Sequence, residues 1–152
     1  MTTHGWRKKT MKNKAYDLSS YSFSSGEQVL VDANVWLYLF PAPTDPSKSF
    51  AVQYSTSFAK LISAQAQPVL DPLILSEYLN RYIRIEYDGN YKSQYSSFKS
   101  FRNSQDFIDV ASSVEKFARK ILNFCQIHSI PANELDLQQA ISDFSAGGVD
   151  FN

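Results

Sequence analysis

The sequence predicts an α/β fold with a central, mainly parallel sheet flanked by helices. Two short apolar runs, "VLV" over 29–31 and "PVLD" over 68–71, each lead straight into a helical pattern. Parallel strands need a long crossover and helices supply it, so the order strand, helices, strand, helices points to parallel pairing. The 152 residues suit one domain with a single core, and hydrophobic and charged fractions of 43% and 20% are those of a folded globular chain. Eleven Phe and nine Tyr argue against disorder throughout.

Residues 1–27 read as a basic, polar arm, and 28–152 as the folded domain. Arg7, Lys8, Lys9, Lys12 and Lys14 stand among the first fourteen residues without an acid, although the chain as a whole is neutral. Such an arm suits contact with nucleic acid phosphates and equally suits a solvated terminus. Leu18, Tyr21 and Phe23 are spaced to pin its end to the body, and Gly26 permits a turn before the first strand.

Because Val29, Leu30 and Val31 do not alternate with polar residues, the first strand is expected to be covered on both faces. A short helix over 34–40 follows, until Pro41, Pro43 and Pro46 end regular structure. Phe50, Tyr54, Phe58, Leu61 and Ile62 recur in steps of three and four, which predicts an amphipathic helix over 49–65. After the second strand, Asp71 is an N-cap and Pro72 a first helical residue, because proline's missing donor is not needed there. That helix, 72–87, should bury Leu75, Leu79, Tyr82 and Ile83, and "DGN" over 88–90 should turn the chain. A long helix over 104–127 should bury Val110, Val114, Phe117, Ala118, Ile121 and Cys125, with His128 complementing its dipole. Leu137, Ala140, Ile141 and Phe144 give one more short helix, stopped by Gly147 and Gly148.

Composition also excludes some functions. No apolar run approaches the roughly 20 residues that span a bilayer, and no apolar segment opens the chain as a secretory signal would. One cysteine and two histidines make a structural zinc site improbable, and a lone thiol suits a reducing cytoplasm.

The chemistry-bearing residues are acids. Asp32 ends the first strand, Glu77 lies within two turns of the end of the second, and Asp150 follows the glycine pair. In an open parallel sheet, ligands gather outside the carboxyl ends of the strands. Three carboxylates brought to one edge repel each other unless a cation sits among them, and a hard divalent ion such as Mg2+ or Mn2+ suits oxygen ligands. Each acid also has an ordinary reading: Asp32 as a helix cap, Glu77 as the partner of Arg81, Asp150 as a turn residue. Asn34 suits either a cap or a substrate-orienting hydrogen bond. An Asp-nucleophile phosphotransferase would want a second carboxylate where Asn34 stands.

Between residues 91 and 102, Tyr91, Lys92, Tyr95, Phe98, Lys99, Phe101 and Arg102 interleave rings with cations. The pattern fits a single-strand RNA platform or a protein-partner surface, and it also fits rings packed inward at helical spacing.

The stretches "VLVDANVWLYLF", "LDPLILSEYLNRYIRIEY" and "SAGGVDFN" resemble the successive acidic blocks of the PIN-domain family, including VapC-like ribonuclease toxins of toxin–antitoxin pairs. The resemblance covers about residues 18–152, and its first block is the most specific. It implies a PIN-like, three-layer α/β/α fold and a cytoplasmic, Mg2+- or Mn2+-dependent endoribonuclease. Asp32, Glu77 and Asp150 would be catalytic metal ligands, with Asn34 orienting the substrate. RNA is then the substrate, contacted through Tyr91, Lys92, Tyr95, Lys99 and Arg102, while an antitoxin protein and a second copy of the chain are candidate partners. Family members continue past the third block with another acid, a helix and a strand. The expected domain therefore lacks its C-terminal strand and helix. The competing expectation is an inactive module of the same fold that binds RNA or a protein.

Overall fold

The computed structural model describes residues 15–45 and 49–128. The arm before residue 15, the helix expected over 137–144 and the glycine pair lie outside the described residues. Within them the chain is α/β, with a small open sheet of three parallel strands ordered β1-β2-β3. β1 (Gln28–Leu30) leads into α1 (Ala33–Leu39), and α2 (Ala51–Ser63) returns the chain to β2 (Gln67–Leu70). Next come α3 (Pro72–Glu86), a π-helical turn (Tyr87–Tyr91), α4 (Phe98–Arg102), α5 (Gln105–Phe124) and β3 (Gln126–Ile127). No helix among the described residues is long and apolar enough to cross a membrane.

β2 is the central strand, and Pro68, Val69 and Leu70 are all buried there. A proline is tolerated in this strand because β3 begins pairing only at Val69, opposite Gln126, so the donor that Pro68 lacks is not missed. The first strand departs from expectation. Among the described residues β1 is an edge strand, and Leu30 is 61% exposed. An apolar triplet signals burial on both faces only where helices cover both faces of the sheet, and among the described residues the face that carries Leu30 is open at β1.

Turn chemistry joins α2 to β2 and β2 to β1. Gln65 adopts φ +58°, and the Ala66 N–H reaches back to Leu61 O at 3.1 Å, closing the helix in a left-handed cap. The Gly26 N–H donates to Gln65 O at 3.0 Å, with φ +75° at Gly26, so the turn expected there abuts the α2 cap. The lead-in is pinned further where Lys60 Nζ donates to Ser19 O at 3.0 Å and the Tyr21 hydroxyl donates to Glu27 at 2.5 Å.

The core lies between α1, α3 and α5. Trp36 and Tyr78 are fully buried, and Tyr82 nearly so. Tyr82 packs on Phe117 of α5, as does Phe40, and the Tyr78 hydroxyl donates to Phe40 O at 3.0 Å. α3 therefore presents Tyr78, Tyr82 and Glu86 most deeply, while the expected Leu75, Leu79 and Ile83 are half-buried at the margin. α5 buries Val110, Val114, Ala118 and Ile121 as its spacing requires.

Two expected elements change character. "DGN" does not turn the chain: it lies in the π-helical continuation of α3, where Glu86 is buried and Gly89 lies against Thr44. The long helix stops at Phe124, and Gln126–Ile127 forms β3, extended by the His128 N–H to Leu70 O at 2.9 Å. His128 is thus a ladder residue and not a helix terminus. A two-residue strand carries no periodicity by which a sequence could reveal it.

Candidate functional site

Both strand ends are built alike. At the end of β1, Asp32 takes extended backbone geometry and its Oδ1 accepts the Asn34 N–H at 2.7 Å, capping α1. At the end of β2, Asp71 Oδ1 accepts the Leu73 N–H at 2.7 Å and caps α3, with Pro72 in its first turn. The carboxylate in the apolar stretch is therefore tolerated because the strand ends there and α1 has a donor to satisfy.

Parallel pairing sets the two helix starts side by side, and a cleft of about 700 Å3 opens between α1 and α3. Asp32 and Asn34 line one wall, and Ser76, Glu77, Asn80 and Arg81 line the other, with Leu73 and Ile74 beside them. The second wall follows from helical spacing: positions 73, 76, 77, 80 and 81 share one face, opposite the Tyr78–Tyr82 face in the core. Arg81 Nη1 lies 3.4 Å from Glu77 Oε1 and also donates to Asn34 Oδ1, so one guanidinium bridges the walls.

Asp32 and Glu77, separated by more than forty residues, thus share one cleft beyond the carboxyl ends of β1 and β2. Asp150 lies outside the described residues. Among the described residues there is no group of three or more His, Cys, Asp or Glu that could hold a metal ion. Mg2+ keeps several waters and is commonly bound through one or two carboxylates plus substrate phosphates. The lining supplies carboxylate, amide and hydroxyl oxygens and neither thiol nor imidazole, which is the donor chemistry of Mg2+ or Mn2+.

The ring-and-cation stretch is organised around Phe101, which is fully buried. Tyr87, Tyr91, Tyr95, Phe98 and Phe107 surround it at centroid distances of 4.9–6.0 Å. Tyr95 is tied down by its hydroxyl, which donates to Asp106 at 2.5 Å. Lys92 pairs with Asp88 at 3.5 Å, and the Arg84 guanidinium covers the Phe98 ring at 3.7 Å. Lys99 and Arg102 are exposed at the end of α4, and Arg102 stands over the Phe107 ring at 5.5 Å. The ring faces are spent on each other and on cations, which leaves Lys92, Lys99 and Arg102 as the exposed members of the set.

Sequence reasoning named Asp32, Asn34 and Glu77 and treated Arg81 only as a helix-surface partner; Ser76 and Asn80 were missed. The signal for all three was their spacing of −1, +3 and +4 from Glu77. It also missed Glu86, a carboxylate 5% exposed whose Oε1 accepts the Thr44 N–H at 3.0 Å and the Thr44 hydroxyl at 2.7 Å. That contact joins residues 42 apart, so no local pattern announces it.

No protein-family model matches the chain, and no curated protein or solved structure matches it.

Proposed function

We propose that the chain is a metal-dependent endoribonuclease of PIN-like, three-layer α/β/α architecture, the toxin of a toxin–antitoxin pair. The observation that carries this reading is the shared cleft of Asp32 and Glu77, reached from two different strand–helix junctions. In this reading Asp32 and Glu77 hold Mg2+ or Mn2+, and Asp150 adds a third carboxylate. A bound divalent ion supplies charge neutralisation for attack of water on a phosphodiester. Asp32 is the more rigid ligand, because the backbone at a strand end and the Asn34 N–H both fix its carboxylate. Asn34, Ser76 and Asn80 offer hydrogen bonds to the ribose or phosphate of a bound strand, and Lys99 and Arg102 extend the contact to the backbone.

The test is calorimetric titration with Mn2+ alongside cleavage of a labelled single-stranded RNA. Asp32→Asn should keep the fold and lose both saturable Mn2+ binding and cleavage. Undiminished cleavage by that variant, in a preparation free of contaminating ribonuclease, refutes the assignment. The second reading is a module of the same fold that binds RNA or protein without turnover, through the exposed cations Lys92, Lys99 and Arg102. RNA binding without Mn2+ binding would select it.

A further inference from the structure

The cleft contains a cation of its own. An exposed pair between Glu77 and Arg81, one turn apart, would by itself be ordinary helix-surface chemistry. The bond from Arg81 to Asn34 is different, since it joins α3 to α1 across 47 residues of sequence. One guanidinium thereby occupies an oxygen on each wall, and these belong to the residues that the reading above assigns to metal and substrate. A guanidinium held there takes up one lone pair of each acceptor and puts a positive charge beside them, and two cations crowded onto the same acceptors repel. The side chain is also 45% exposed, so it has solvent to swing into.

We propose that Arg81 is a resident counter-ion: it competes with the divalent cation for Glu77 and with the substrate for Asn34, and once displaced it engages a substrate phosphate. The inference rests on the metal-site reading of the same cleft. Its physical basis is the match between a planar guanidinium and phosphate oxygens, which favours Arg wherever a phosphate must be gripped with fixed geometry. Metal and polyanion both favour the released state of Arg81, so each should help the other to bind, and by linkage the effect is reciprocal.

Two measurements on the full chain separate this role from that of a surface ion pair. Mn2+ is titrated calorimetrically into wild type, Asp32→Asn and Arg81→Gln. Binding of a short fluorescent single-stranded DNA is then followed against salt concentration with Mn2+ present. Arg81→Gln should bind Mn2+ about two- to fivefold more tightly, the scale of one removed exposed charge interaction. Its plot of log affinity against log salt should be flatter by about 0.7, the contribution of one phosphate contact on a single strand. Arg81→Lys keeps the charge and should return the salt dependence to the wild-type value. Because the side chain is exposed, unchanged circular dichroism is expected and verifies folding.

Unchanged or weaker Mn2+ binding by Arg81→Gln, or an unchanged salt dependence, overturns the proposal. If wild type binds Mn2+ and Asp32→Asn does not, such a result removes only the role of Arg81. If wild type fails to bind Mn2+, the metal-site reading falls and this inference falls with it.

Discussion

Replacing Gly89 with alanine should destabilise the protein, although a glycine in a helical segment usually gains from that change. Propensity alone favours alanine by about 0.5–1 kcal/mol. Packing reverses the sign. A Cβ at position 89 would stand 2.6 Å from Thr44 Cβ, 2.8 Å from its Oγ1 and 3.0 Å from its Cγ2. Threonine is stiff at its branched carbon, and this one is anchored by N–H and O–H bonds to Glu86 Oε1 at 3.0 and 2.7 Å. Moving it would loosen the partners of a carboxylate that is 5% exposed. Overpacking of this kind costs about 1–3 kcal/mol, and a weakened hydrogen bond to a charged acceptor costs up to about 1.5–3 kcal/mol more. Partial relaxation and the propensity gain bring the expected net loss to about 1–3 kcal/mol. At this chain length that is a fall in Tm of about 2–12 °C. Thermal and urea unfolding followed by circular dichroism would measure it. A Thr44→Gly background removes all three contacting atoms, so Gly89→Ala should there be neutral or stabilising, and the double-mutant cycle isolates the contact. A Gly89→Ala protein as stable as wild type, or more so, would refute the close approach and the clamp on Glu86 with it.

Three other outcomes follow from the same packing and electrostatics. Phe101→Ala should cost about 3–5 kcal/mol in urea unfolding, the usual loss for a buried ring, because Phe101 is wholly enclosed by its five aromatic neighbours; a loss below about 1 kcal/mol would mean that the rings are not core. Burial pushes the Cys125 thiol up from 9.0 to about 11, which leaves about a hundredfold less thiolate than an ordinary cysteine, so a disulfide reagent at mildly alkaline pH should modify the folded protein far more slowly than the urea-unfolded chain. The Tyr21 hydroxyl and then the Ser24 N–H hold the Glu27 carboxyl below its ordinary 4.5. A carboxyl depressed on folding adds stability that is complete above its unfolded value and is lost as pH falls through its folded one. The stability advantage of wild type over Glu27→Gln should therefore be constant near neutrality and shrink as the solution is acidified below pH 4.5; a pH-independent difference would contradict the pairing.

The three readings of residues 91–102 illustrate how far composition can go. Rings and cations alternate there whether the segment is a base-stacking platform, a partner surface or a small core, because all three use aromatic faces. Only the distances around Phe101 show that the faces meet one another. For Asp32 the two readings do not compete. One oxygen caps α1 while the residue also lines the cleft, so a helix cap and a ligand position are compatible in a single carboxylate.

What the sequence by itself determined was local: the alternation of strand and helix, the Asp–Pro start of α3, a turn at Gly26, and the apolar stripe of α5. Each of these is written in the spacing of residues within one element or one junction, where it acts directly on the backbone. What only the tertiary structure decided was long-range. Among the described residues β1 lies at the edge of the sheet despite its apolar triplet, β3 exists through its pairing with β2, Thr44 closes over Glu86, and Arg81 reaches across to Asn34. Those contacts depend on which surfaces meet when the helices pack, and that outcome is set by the whole core at once and by no single stretch of chain.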